Sequence, residues 1–356
     1  MTEKTGVLEA TITENSCPTG KKRDGARPQG KSRRMKLLER RGCFGAPPAG
    51  VQIHRATSPE EFYNAYKLVY DIYLQKGYIL PNKIGLRMRV YEALPETATF
   101  IAKMGERVIG VTTIIPDSHD LGLPSDEAFG GEIDHIRRSG RSVCEGTNWV
   151  VAPEFRRTNV LNELMRCAFA HVVALGFDNW IVAVSRGHEA FYELLGFETI
   201  GFQRSFSDEI FDPVILVRME IDALDERFAE VDITDEDTDD EAWLKFHYVD
   251  RVNNPYFKKV QPWNDAAPAA FSNIAFLREL FAEKTNFLEK CNRKERRIIC
   301  RHWGENIYQA VLNPSAPRDD TPSRLQRFYK YLRTWNTSTG KQLMSVIPKM
   351  TRRAAS

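Results

Sequence analysis

The 356-residue chain predicts a mixed α/β domain held between a basic arm and a helical region. Three observations point there. Between residues 51 and 219, β-rich runs alternate with segments of helical period; residues 220–242 carry 12 acids against one base, Arg227; and from Phe271 onward apolar residues recur at helical spacing. The expected organisation is therefore a disordered basic arm over 1–50, the α/β domain over 51–221, an extended acidic linker over 222–242 and a basic helical region over 243–356.

VQIHRA, from Val51, reads as a strand. Ser58 then caps a helix, with Glu61 three residues on to complete a capping box and Phe62, Tyr66, Val69, Tyr70 and Tyr73 along one face. ATFIAKM and RVIGVTTII are two β-rich runs separated by Gly105 and Glu106, the arithmetic of a hairpin. SVCEGTNWVV is a strand stopped by Pro153, and Asn159 to Leu175 has a helical pattern. NWIVAVS reads as a buried strand, His188 to Leu195 as a helix closed by Gly196, and PVILVRMEI as a last strand. The order is β, α, β, β, β, α, β, α, β. Beyond the acids come further helices, the last capped by Ser323 and running through Phe328 and Trp335 with Arg and Lys interleaved.

Charge sharpens this division. The chain nets only +2, which argues against a dedicated nucleic-acid binder, yet residues 1–50 net +6, 51–242 net −16 and 243–356 net +12. Basic flanks with interleaved aromatics suit an anionic membrane surface or an acidic protein better than a nucleic acid. The six cysteines form no CxxC pair and no His spacing for zinc, so no metal is expected and the thiols read as reduced in a cytoplasmic setting. The first 16 residues have no apolar core of a leader, and no apolar run reaches membrane-spanning length.

The informative unit is the strand Ser142–Val151 followed by Ala152, Pro153, Glu154, Phe155, Arg156 and Arg157 and then a helix. A loop entering a helix offers free backbone N–H groups to an anion such as the phosphate of a thioester donor. Here the chain resembles the GNAT acyltransferase superfamily, whose loop at this point reads Arg or Gln, two residues, Gly, one residue, Gly or Ala. Arg156 fits, but Asn159 and Leu161 stand where the small residues should be. Those small residues let the backbone approach the pyrophosphate of coenzyme A, so their loss leans toward a carrier-protein phosphopantetheine with its single phosphate.

A closer resemblance runs from about 80 to 221 through LGLPSDEAF, EIDHIRRSGR, VCEGTNWVVAPEFRR, SRGHEAFYELLGFETIG and FDPVILVRMEI. In this order they are similar to the N-acyl amino acid synthases, GNAT-fold relatives of the acyl-homoserine-lactone synthases. The resemblance implies a mixed sheet flanked by helices. It also implies transfer of a long-chain acyl group from acyl carrier protein, with acyl-CoA the alternative donor, to the α-amine of an amino acid, with no tightly bound cofactor. Acetyl transfer and signal-lactone synthesis are the neighbouring activities. A long-chain product would suit peripheral contact with the inner face of an anionic membrane.

An α-amine of pKa about 8 is partly protonated at neutral pH, so the reaction needs a proton acceptor, a polarised carbonyl and a leaving thiolate. Glu145, in mid-strand between Cys144 and Gly146, is the expected base, and the family carries an acid at the matching position. Its alternative is a structural pairing with Arg137 or Arg141. Backbone N–H groups of Trp149, Val150 and Val151 are the expected oxyanion donors, with Arg156, Arg157 and Asn159 for the donor phosphate. His188 and Tyr192, four apart, are expected on one helix face as proton relays, or as a capping and a packing residue. Arg137, Arg138 and Arg141 would hold the substrate carboxylate or meet the carrier protein, with Asn148 a further polar contact.

Overall fold

The computed structural model describes residues 30–313 apart from 208, 209, 211 and 237. Along the chain come α1 (Arg33–Arg40), β1 (Val51–Arg55), α2 (Pro59–Gln75), β2 (Ala98–Met104), β3 (Arg107–Pro116) and α3 (Asp126–Arg138). They are followed by β4 (Val143–Val151), α4 (Val160–Ala174), β5 (Asn179–Ser185), α5 (Glu189–Leu194), β6 (Glu198–Arg204) and β7 (Val214–Glu220). Then come α6 (Leu224–Arg227), α7 (Asp240–Leu244), α8 (Tyr256–Ser272), α9 (Ile274–Leu277), α10 (Phe287–Lys290), α11 (Arg293–Trp303) and α12 (Glu305–Leu312). The expected order is present, with α3 and β6 added.

Local chemistry explains the element ends. Ser58 Oγ accepts the Glu61 N–H at 3.2 Å while the Glu61 carboxylate takes the Ser58 N–H, and Pro59 opens α2 where its missing N–H costs nothing. Gly105, at φ 57°, makes the two-residue turn between β2 and β3.

The seven strands form one sheet in the order β1-β2-β3-β4-β5-β7-β6. All neighbours are antiparallel except β4 and β5, which run parallel from Val143↔Asn179 to Gly146↔Val182 and pair no further. The strand β4 continues to Val151, so the two strands part after Gly146. A bulge sits at the parting. On β3, Val111 faces Val150 and Thr113 faces Thr147, which leaves Thr112 opposite both Asn148 and Trp149. Asn148 takes φ 57°, a left-handed conformation that asparagine tolerates better than most residues.

The sheet separates two cores. Cys144, Trp180 and Val182 pack with Leu164, Cys167 and Ala168 of α4 on one face; Val143, Ile181 and Leu216 pack with Phe129, Ile133 and Ile136 of α3 on the other. Strand alternation therefore puts Glu145, which pairs with Ile181, on the α3 face.

Two expectations about the flanks are corrected. Residues 30–50 are not a disordered arm: α1 is capped by Ser32, Met35 is fully buried and Phe44 is buried in the α4-side core. Residues 1–29 lie outside the described part. The acidic stretch is not an extended linker either, because Leu224, Phe228, Val231 and Ala242 bury in that same core. Each such burial is worth about 1.5–3 kcal/mol for the larger side chains, enough to outweigh repulsion among solvated acids. The region after 243 is helical as expected, and its helices pack onto the domain. Residues Tyr248, Tyr256 and Val260 cover α4, with Tyr248 donating to Asn162 at 2.6 Å and Tyr256 to Glu163 at 2.8 Å. Residues Phe276 to Val311 cover α2, and the Trp303 indole donates to the Ala93 carbonyl at 2.8 Å. The helix expected after Ser323 lies outside the described residues.

Candidate active site

Glu145 is 1% exposed, and its carboxylate is held by one residue. The Ser125 N–H donates to Oε2 at 2.9 Å and the Ser125 hydroxyl to Oε1 at 2.8 Å. Ser125 stands at the N-cap of α3 but gives its hydroxyl to Glu145 instead of capping the helix. Burial raises the Glu145 carboxyl, and the two Ser125 hydrogen bonds and the Arg89 guanidinium offset only part of that rise, which leaves it at about 7. Such a carboxyl can accept a proton near neutral pH without being locked in its charged form.

A buried polar chain lies on the same face. Glu92, fully enclosed, forms an ion pair with Arg89 through Nε at 3.1 Å and Nη2 at 2.5 Å. Burial would raise the Glu92 carboxyl, but the Arg89 guanidinium outweighs it and holds the group below its ordinary range. Asn148 Nδ2 donates to Glu92 Oε1 at 3.2 Å and to Thr113 Oγ1 at 3.1 Å, and Thr99 joins Thr113 to the Tyr66 hydroxyl. The bulge residue is thus locked by its own side chain, which fixes the backbone of Trp149, Val150 and Val151 beyond it.

On the opposite face the parting is lined by indoles. Trp149 and Trp180 lie with ring centroids 6.0 Å apart beside Gly146, and neither buried Nε1–H has a hydrogen-bond partner among the described residues. A Cβ at Gly146 would stand 2.7 Å from Trp180 Nε1 and 3.2 Å from Trp149 Nε1, so only glycine leaves this crevice undistorted.

The loop after β4 carries the donor-side candidates. Arg156 and Arg157 are exposed, and Arg156 Nε reaches back to the Val151 carbonyl at 3.3 Å. Asn159 is buried and its amide is used: it donates to the Gly45 carbonyl and to Glu163 at 3.2 Å. It is therefore a bracket between this loop and the N-terminal segment.

His188 and Tyr192 do not share a helix face. His188 is the exposed N-cap of α5, whereas Tyr192 is buried in the α4-side core against Phe197 and Phe191, where burial raises its hydroxyl pKa. Tyr192 and Glu145 lie on opposite faces of the sheet, so any exchange between them must run through the parting of β4 and β5. The arginines divide as well. Arg137 is held by Asp117, Asp126 and Asp134, and Arg141 by Glu220 and Asp222, so neither is a free fork for a substrate carboxylate and neither pairs with Glu145. Arg138 is exposed.

Sequence reasoning missed Ser125, Arg89, Glu92 and Trp180. LGLPSDEAF contains Ser125 followed by Asp126, a helix-start signal, but nothing local ties it to a carboxylate 20 positions on. Among the described residues no group of three or more His, Cys, Asp or Glu could hold a metal ion, and no helix is long and apolar enough to cross a membrane.

A parallel pair opened by a bulge in the middle of an otherwise antiparallel sheet, with a buried carboxyl on the bulged strand, is the mixed sheet that the resemblance to the GNAT acyltransferases implies. The family model described as N-acyl amino acid synthase FeeM matches residues 64–220, the part of the chain that holds β2 to β7 and Glu145. No curated protein matches the chain. Solved structures that resemble it include FeeM, an N-acyl amino acid synthase from uncultured soil microbes, at 21% identity over 50% of this chain and 93% of that one, with a TM-score of 0.44. A second is a CoA-dependent acyl-homoserine lactone synthase, BjaI, at 15% over 51% and 92%, TM-score 0.36. A third is described as an N-acetyltransferase from Lactobacillus plantarum, at 13% over 48% and 99%, TM-score 0.36.

Proposed function

We propose that the chain transfers a long-chain fatty acyl group from acyl carrier protein to the α-amine of an amino acid. The observation that carries this reading is Glu145, a buried carboxyl titrating near 7 on the strand that opens the sheet, within the region of the family match. In the proposed reaction the neutral amine attacks the thioester carbonyl carbon and Glu145 accepts the proton that the nitrogen sheds. Backbone N–H groups of Trp149 to Val151, fixed by the Asn148 bulge, receive the oxyanion. The C–N amide bond forms as the C–S bond breaks, and the sulfur leaves as a thiol once protonated, with Tyr192 the candidate donor from its side of the opening.

Loss of the small residues at Asn159 and Leu161 supports a carrier-bound donor over free acyl-CoA. The engagement of Arg137 and Arg141 by acids leaves Arg138 as the remaining member of that trio for a carrier or substrate contact. The test is incubation of the full chain with acyl-carrier-protein thioesters and an amino-acid mixture. N-acyl amino acids detected by mass spectrometry are the expected result; absence of product with every acceptor overturns the reading, and product from acyl-CoA alone overturns its donor.

A further inference from the structure

Residues 30–45 lie outside the family match and form a strap across the ground that a nucleotide-bearing donor would need. Gly42, at φ 74°, passes so close to the loop after β4 that a Cβ there would stand 3.0 Å from the Arg157 carbonyl oxygen. Three residues on, the Gly45 carbonyl takes the Asn159 amide. The strap is pinned along its length. The Gly30 N–H meets the Thr238 carbonyl at 2.8 Å, the Ser32 N–H meets Asp240 at 2.8 Å, Met35 is fully buried, and Phe44 sits between Trp243 and Phe191 with centroids at 4.5 and 6.3 Å. A pyrophosphate approaching the start of α4 would have to displace Gly42–Gly45.

The outward side of the strap is basic. Arg33, Lys36, Arg40 and Arg41 are exposed and have no carboxylate partner among the described residues, and they lead directly to Arg157. Leu37, 46% exposed, lies among them as an apolar contact point. Unpaired like charges around an exposed leucine are stabilised by a partner with acids around an apolar patch. We propose that α1 and the loop Pro153–Thr158 are the docking surface for an acidic carrier protein, whose pantetheine arm then runs from this loop to the parting of β4 and β5. This rests on the carrier-protein donor proposed above and adds where that donor binds.

The test is a triple charge reversal on the exposed face of α1: Arg33→Glu, Lys36→Glu and Arg40→Glu in the full chain, with the melting temperature compared to wild type. KM is measured with acyl-carrier protein and with acyl-pantetheine, which has no protein to dock. The expected result is a KM for the carrier thioester raised about tenfold or more at low ionic strength, shrinking at about 0.5 M salt, with acyl-pantetheine kinetics unchanged. An unchanged carrier KM, or an equal loss on both donors, overturns the surface while leaving the donor reading intact. A wild-type enzyme inactive with every carrier thioester overturns both. If the reversal leaves carrier kinetics unaltered but abolishes sedimentation with anionic vesicles, the surface is a lipid contact and the proposal fails.

Discussion

The two faces of the sheet at β4 are built from opposite materials. Toward α3 lie a carboxyl near 7, a buried ion pair and a chain of hydroxyl and amide groups; toward α4 lie two indoles, a glycine and aliphatic packing. Glu145 and Gly146 are adjacent in sequence, and the pleat sends one to each side. The lesson is one of separation: a proton acceptor needs hydrogen-bonded neighbours to be charged at all, while an acyl thioester needs an apolar crevice. The opening after Gly146 is where the two can meet.

The largest way to break this comparison is to neutralise the polar side. Glu145→Gln should lower the rate of amide formation by about 10²–10⁴-fold, the range of general-base catalysis, in a steady-state assay of product. The same variant sharpens the account through stability. The folded-state pKa of Glu145 is raised above its unfolded value, so the folded protein binds the extra proton between about 4.5 and 7, and stability falls as pH rises through that window. Removing the group should therefore raise the melting temperature at pH 8, by a contribution of up to about 3 kcal/mol, and leave it little changed at pH 4.

The apolar side is broken at Gly146. Gly146→Ala places a methyl against both indole nitrogens and should cost about 1–3 kcal/mol in denaturant unfolding, with activity reduced. A smaller effect is expected at Ser125. Ser125→Ala keeps the backbone N–H but removes the hydroxyl bond to the carboxylate, so the Glu145 pKa should rise further, by about one unit, and the acid limb of the rate profile should move to higher pH. Tyr192→Phe should have the least effect, about tenfold or less on kcat, because thiolate can leave and be protonated by water.

Much of the fold was legible because burial imposes period on sequence. The capping box at Ser58, the hairpin at Gly105 and the strand through Glu145 all form as their patterns require. The additions were hidden for identifiable reasons. α3 contains Gly130, Gly131 and a non-helical Phe129, and β6 is an edge strand with most residues exposed, so neither has a clean apolar pattern. In the acidic stretch the charge is conspicuous, while Leu224, Phe228 and Val231, spaced for one helix face and buried, are not. Of the candidate site, Glu145 was visible as a carboxylate in a strand; its partner Ser125 and the Glu92 to Asn148 bond join distant segments, and only the fold brings them together.

The central claim is that Glu145 is a buried carboxyl poised to accept a proton at neutral pH. Infrared difference spectra between wild type and Glu145→Gln, recorded from pH 5 to 9 without substrate, test it directly. A protonated carboxyl band present in wild type alone, and disappearing with a midpoint near 7, is the predicted result. A carboxylate band unchanged down to pH 5 would contradict the account.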